Sequence, residues 1–295
     1  MNTKIKENHM NLIESVFEIS ETLLYTEPMN VFLNEAGLDK LVKEMEKEGP
    51  TPFNIPRVKD AATGVLIELV ASSINYCYWY GNSSVRPNQA HSGMMYSLVE
   101  EAFKDYKPQF LEFSHRINTL IDTLSLNRFP LLEERSRHLL ELVSKDAPVF
   151  ANDVVANYKD DFERLFQDLV TRFHGFSSDT FLKRASLFFI QLHRKYGWFG
   201  KEMKSIHVPA DYQVPKILKH YNAVYYKSEL DEKIKTGQLI PKHSLEECQI
   251  RAATVVASKM LQEETGWTVP NIDGWLWLRR KLPSHPFHLT ITTDY

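Results

Sequence analysis

At 295 residues, 43% apolar and 25% charged, the chain can bury a substantial core, as one large domain or two closely packed ones. Its formal net charge of -3 argues against duplex nucleic acid as the main partner, because such binding draws on a strong cationic field. The two cysteines, Cys77 and Cys248, lie in apolar or helical patterns without a second ligand at metal spacing, so they read as buried thiols.

The start, Met1 to Glu14, is polar and charged and lacks an apolar signal core. No window approaches the roughly 18 apolar residues of a membrane span. A cytoplasmic chain with no membrane partner is expected.

Leu12, Val16, Ile19 and Leu23 place a first helix in an N-terminal extension over residues 1–60. Val65, Leu66, Leu69, Val70 and Ile74 predict a buried helix that runs into Tyr76-Cys77-Tyr78-Trp79-Tyr80. Gly81, Pro87, Asn88 and Gly93 mark a loop with room for a hairpin. Further helices are predicted over 94–113, 115–125, 131–145, 157–172, 180–197, 213–222, 244–264 and 272–281. Pro130 is placed to open one of them, Ser244 with Glu247 forms a capping box, and Ser228 with Asp231 a weaker one. The alternating tail 288–293 suggests a short strand. The expected fold is mostly α, a compact multi-helix unit over 1–295 with at most a few short strands. If it divides, 173–180 is the expected place.

Several familiar chemistries have no signature: there is no Gly-rich phosphate loop, no H-E-x-x-H and no G-x-S-x-G. What remains is acid, base and aromatic. Asp211, in Ala210-Asp211-Tyr212-Gln213-Val214-Pro215-Lys216, reads either as a general base or charge stabiliser, or as the cap of the helix beginning near Gln213. Asp273, in Asp273-Gly274-Trp275-Leu276-Trp277, reads as a ligand clamp or as a cap for its own helix. Trp79 with Tyr76 and Tyr78 is either a pocket wall or core. Glu133 and Glu134 suit a helix start, where acids complement the dipole. Lys183-Arg184 is either a phosphate anchor beside a helix N-terminus or a solvated pair.

Seven segments in order resemble the queuosine salvage protein family. Ile74-Asn75-Tyr76-Cys77-Tyr78-Trp79 resembles its "LNFSFW" element, Pro130-Leu131-Leu132-Glu133-Glu134-Arg135 its "PLVEER" and Phe181-Leu182-Lys183-Arg184-Ala185 its "YKRA". Ala210-Asp211-Tyr212-Gln213-Val214-Pro215 is similar to "ADYRIPQ", Ile250-Arg251-Ala252 to "EIRG", Asp273 through Trp277 to "DYYLW", and Pro286-Phe287-His288 to "PFHR".

The resemblance implies an all-helical queuosine 5'-phosphate N-glycosylase, related to helix-hairpin-helix DNA glycosylases, that frees the 7-deazaguanine base queuine for reuse. It places catalysis on Asp211 and substrate contacts on Trp79, Glu134, Lys183, Arg184, Ala210, Tyr212, Arg251, Asp273, Trp277 and His288. It implies a small nucleotide substrate, no metal or organic cofactor, and no stable nucleic-acid partner. Pro209, Gln213, Gln249 and Leu278 depart from the family pattern and are expected around the pocket, where they bear on substrate identity. Two other readings stand beside it: a glycosidase for another modified nucleotide or nucleoside, and a non-catalytic binding module on the same scaffold.

Overall fold

A computed structural model describes residues 3–51, 55, 57–79, 90–106 and 110–295. The chain divides into two compact units. The first takes Met1–Asn54 and Gly200–Ile291, and the second takes Ile55–Phe199 and Thr292–Tyr295. The chain crosses between them near 54, 199 and 291, and not in 173–180, which lies within the second unit.

The first unit begins with α1 (Thr3–Leu24), β1 (Val31–Leu33) and α2 (Glu35–Glu48). The buried stripe of α1 is Ile13, Val16, Ser20 and Leu24, while Leu12 and Ile19 of the expected face are exposed. Ser20 is tolerated there because its hydroxyl donates to the Val16 carbonyl at 2.6 Å. The periodicity reading missed α2, which buries Leu38, Leu41 and Met45. Gly37 on α2 must remain glycine, since a Cβ would meet the Asn222 carbonyl oxygen at 2.0 Å.

The second unit is built around α3 (Ala61–Ser73), which is buried on every side from Ala62 to Ser73 and is capped by Asp60, whose carboxylate accepts from the Thr63 N–H at 2.8 Å. There follow α4 (Ser92–Ala102), α5 (Phe110–Leu126), α6 (Leu132–Ser144) and α7 (Ala147–Asp153), which widens into a π turn at Val154–Tyr158. Then come α8 (Phe162–Arg172), α9 (His174–Ser177) and α10 (Lys183–Tyr196). Helices α4, α6, α7 and α10 pack on α3. Between α3 and α10, Lys195 and Glu68 form a fully buried ion pair at 2.6 Å. Phe162, Phe166, Phe189 and Phe199 join α8 to α10 through ring contacts.

Three expectations change here. The helix expected over 94–113 stops at Ala102, with Asp105 in the left-handed region at φ 57°, and a new helix begins at Phe110. The helix expected from 157 begins at Phe162, after the π turn. Pro130 does not open α6: Leu131 precedes the helix at φ 51°, and the Pro130 carbonyl accepts from Arg135 Nε at 2.8 Å. The loop with room for a hairpin lies mostly outside the described residues.

Back in the first unit come α11 (Val214–His220), β2 (Val224–Tyr226), α12 (Ser228–Lys235), α13 (Leu245–Thr265) and α14 (Val269–Leu278). Strands β1 and β2 pair antiparallel with Phe32 opposite Tyr225, whose rings stack at 5.0 Å. Long, largely buried α13 is the axis of this unit, with α1, α2, β1, α11 and α14 packed on it. Ser244 caps α13 by accepting from the Glu247 N–H at 3.3 Å, and Glu247 reaches back to the His243 N–H at 3.1 Å. Ser228 is the first residue of α12 and not its cap, and Asp231 instead pairs with Lys219 and Lys235. The tail forms one parallel bridge, Leu239 with Leu289, where a strand was expected.

The fold is mostly α, and among the described residues its sheet is two strands of three residues. No described helix is long and apolar enough to cross a membrane.

Candidate active site

The turn before α11 is where sequence and geometry meet. The Asp211 N–H donates to the Pro209 carbonyl at 2.9 Å, closing a tight turn. Asp211 Oδ1 accepts from the N–H groups of Gln213 at 2.7 Å and Val214 at 3.1 Å. Pro215 follows and has no N–H to satisfy, as suits the first turn of a helix. The cap position of α11 is Gln213, and Asp211 two residues earlier ties down the turn into the helix with one oxygen only. Among the described residues Oδ2 makes no hydrogen bond, and Asp211 is half-buried between buried Ala210 and buried Tyr212.

The neighbours of this turn come from α13 and the C-terminal tail. Arg251, buried within α13, donates from Nε to the Ala210 carbonyl at 2.9 Å. Its NH1 lies 3.7 Å from Glu247 Oε1, one helical turn earlier. His288 is buried, and burial first and the Arg251 charge second push its pKa down to about 3, so it is neutral at pH 7. The Phe287 and Tyr212 rings meet at 4.7 Å, and His285 Nε2 donates to the Lys216 carbonyl at 3.0 Å. Thus the Pro286-Phe287-His288 segment runs along the Asp211 turn.

Asp273 lies in the middle of α14, which starts four residues before it behind Thr268, so it does not cap its own helix. Its carboxylate is buried. Trp277 sits one turn later on the same face. The Arg280 guanidinium covers the Trp277 ring at 3.4 Å, and Arg280 NH1 donates to the Trp277 carbonyl at 3.0 Å. Trp275, between them in sequence, belongs to the core and donates from Nε1 to Glu48 at 2.9 Å. Helices α11, α13 and α14 pack on one another; Arg251 lies on α13, Asp273 on α14, and Asp211 in the turn that leads into α11.

Two of the residues that depart from the family pattern have definite settings. Leu278 is 40% exposed. Gln249 is fully buried and bound to the loop after α1: its Nε2 faces the carbonyls of Leu23, Thr26 and Pro28, and its Oε1 accepts twice from Asn30.

Trp79, Glu134, Lys183 and Arg184 belong to the second unit. Lys183 and Arg184 are buried, which overturns the solvated-pair reading. Lys183 Nζ donates to the Asn75 carbonyl at 2.7 Å and to its side-chain oxygen at 3.2 Å. Arg184 NH1 donates to the Ser73 carbonyl at 2.8 Å. The start of α10 is buried because Asp179 satisfies its donors, accepting from the Phe181 and Lys183 N–H groups at 3.1 and 3.0 Å. Trp79 is buried, while Glu134 is partly exposed and lies 3.5 Å from Arg137.

Sequence reading passed over Arg135, which orders the aromatic segment. It is wholly buried, donates to the carbonyls of Ile74, Tyr76 and Cys77, and lies 4.4 Å from the Tyr76 ring and 5.2 Å from that of Tyr78. The signal was an arginine in the same short element as Glu134. Beside it, the Tyr76 hydroxyl lies 3.1 Å from His138 Nδ1. Burial, then the Arg184 charge, holds His138 at about 3, and burial pushes Tyr76 up to about 12.

The family model described as "Queuosine salvage protein" matches residues 58–292. The chain belongs to the queuosine salvage protein family. Three relatives each carry the name queuosine 5'-phosphate N-glycosylase/hydrolase. One from Dictyostelium discoideum is 28% identical over 258 residues, covering 77% of this chain and 77% of its own length. One from Sphaerobacter thermophilus is 25% identical over 77% of this chain and 80% of its own length. One from Bos taurus is 25% identical over 79% of this chain and 80% of its own length. The matched region contains the Asp211 turn, Arg251, Asp273 and the tail through His288.

Proposed function

We propose that this family member is an N-glycosyl hydrolase acting on queuosine 5'-monophosphate, releasing queuine, with Asp211 as its sugar-side carboxylate. The observation that carries the reading is the division of labour within one side chain. Two backbone N–H groups fix Oδ1, which leaves Oδ2 in a set direction and without a hydrogen bond among the described residues.

That arrangement suits N-glycoside cleavage. As the bond from C1' to the base nitrogen breaks, its electron pair leaves with the base and positive charge builds on the sugar. A carboxylate held in place before the reaction stabilises that charge without reorganising. The same Oδ2 accepts a hydrogen bond from the attacking water and orients it. The base nitrogen ends protonated, and the water oxygen becomes the new hydroxyl at C1'. A 7-deazapurine has carbon where guanine has N7, so protonation there cannot assist departure. More of the barrier therefore falls to the sugar side.

Asp273 and Trp277 are the proposed base-side pair. A buried carboxylate matches the secondary ammonium and diol that queuine carries, and Trp277 supplies a ring face one turn away. Arg280 already lies on the other face of that indole and fixes its orientation. In the second unit, Arg135, Lys183 and Arg184 hold the backbone of residues 73–77 by hydrogen bonds to its carbonyls, which supports a framework role for them.

The test is to incubate the protein with queuosine 5'-monophosphate, its dephosphorylated nucleoside and ordinary nucleotides, and to look for free base by chromatography. Queuine is expected from the first. Release from none of them, or from ordinary nucleotides alone, overturns the proposal.

A further inference from the structure

We infer that Arg251 is a positioning residue that aims the Asp211 carboxylate by fixing the peptide plane before it, an inference resting on the glycosidase reading above. The peptide between Ala210 and Asp211 is held at both ends. Its carbonyl accepts from Arg251 Nε at 2.9 Å, and its N–H donates to the Pro209 carbonyl at 2.9 Å. With that plane fixed, the Asp211 N–Cα bond is fixed, and rotation about it is limited by the bonds from the Gln213 and Val214 N–H groups to the Asp211 side chain. Oδ1 is then tied to Gln213 and Val214, so Oδ2 retains little freedom.

Arg251 is itself held. Glu247 Oε1 lies 3.7 Å from its NH1, and Glu247 Oε2 is anchored by the His243 N–H at 3.1 Å. The hold thus runs from the cap of α13 through Glu247 and Arg251 to the Asp211 turn. Beside it, buried His288 is neutral, with a pKa of about 3, and adds no second positive charge next to the guanidinium. A lysine at 251 would keep the charge but offers no planar fork to bond the carbonyl and face Glu247 together. The role is geometric, and displacement of a reacting group by about 1 Å costs on the order of 100-fold in rate.

The experiment compares wild type, Arg251→Lys and Arg251→Met on queuosine 5'-monophosphate, together with amide hydrogen exchange on the free proteins. Positioning predicts a kcat lower by about 100-fold in Arg251→Met, KM within about threefold, and recovery of roughly tenfold in Arg251→Lys. It also predicts faster exchange of the Asp211, Gln213 and Val214 amides in both variants, with the amides of central α13 unchanged. If Arg251→Lys and Arg251→Met fold, as α13 exchange reports, but raise KM at constant kcat, Arg251 contacts substrate and the inference is overturned. Unchanged exchange at 211–214 overturns it as well. A wild-type protein that releases no base overturns the glycosidase reading itself, a different failure from an active wild type whose Arg251 variants retain full kcat.

Discussion

Gln249 and Asn30 are bonded twice: Gln249 Oε1 accepts from both the backbone N–H and the side-chain amide of Asn30, each at 2.9 Å. The other end of the Gln249 amide faces the Leu23 carbonyl at the end of α1 and the Thr26 and Pro28 carbonyls of the same loop, at 2.8 to 3.3 Å. Gln249, one of the four residues that break the family pattern, is thus a loop clamp in α13. Glutamate there would lose the donors and set a buried negative charge against carbonyl oxygens. Gln249→Glu is expected to cost at least about 2 kcal/mol in denaturant unfolding, with the ratio of substrates cleaved unchanged. A stable Gln249→Glu protein with altered substrate preference would contradict this.

Lys183 is the second case where burial decides. Its ammonium is committed to Asn75, and removing it strips a buried carbonyl and amide oxygen of their donor. Lys183→Met is therefore expected to lose about 1–3 kcal/mol of stability and to affect phosphorylated and dephosphorylated substrates alike. A phosphate anchor would instead raise KM for the phosphorylated substrate alone and leave stability intact.

His288 gives a pH dependence with a definite sign. Its folded pKa, about 3, lies below the ordinary 6.5, so the unfolded chain binds this proton first as the solution is acidified. The stability that His288 contributes is present above about pH 6.5. It declines as pH falls toward 3, at up to about 1.4 kcal/mol per pH unit. Comparing unfolding of wild type and His288→Gln between pH 7 and pH 4 checks this. The wild type should lose more stability on acidification, and equal losses would rule it out.

Asp273 is expected to act on binding. Asp273→Asn should raise KM for queuosine 5'-monophosphate by about tenfold or more, the worth of one hydrogen bond to a charged group, with kcat nearly unchanged. A drop in kcat at constant KM would assign Asp273 to the chemistry instead.

Much of this architecture is legible in the sequence because helices announce themselves by period. Helices α6, α10 and α13 lie within a few residues of their expected spans. Helix α2 escaped because Leu38, Leu41 and Met45 are sparse among charged residues. The break at Asp105 escaped because a left-handed aspartate carries no glycine signal. Two strands of three residues are too short to alternate visibly, and the interleaving of two units rests on contacts between distant segments. At the site, a bond from the Val214 N–H back to Asp211 could be read from Asp-x-x-Val-Pro spacing. The grip of Arg251 on Ala210 could not, since it joins residues 41 positions apart. Asp273 looked like a cap because α14 was expected to begin at 272, whereas Thr268-Val269-Pro270 starts it earlier. Lys183 and Arg184 looked solvated because charge pairs usually are, and only the packing of α10 shows them inside.

In this reading the Asp211 carboxylate carries the chemistry. The most direct test is kcat of Asp211→Asn on queuosine 5'-monophosphate under saturating substrate, with thermal unfolding of the same protein. The asparagine oxygen can still accept from Gln213 and Val214, so the turn and the melting temperature should be nearly unchanged. Base release should fall by about 1,000-fold or more as the negative charge on the sugar side is lost. A folded Asp211→Asn protein that frees queuine at the wild-type rate would remove Asp211 from the chemistry.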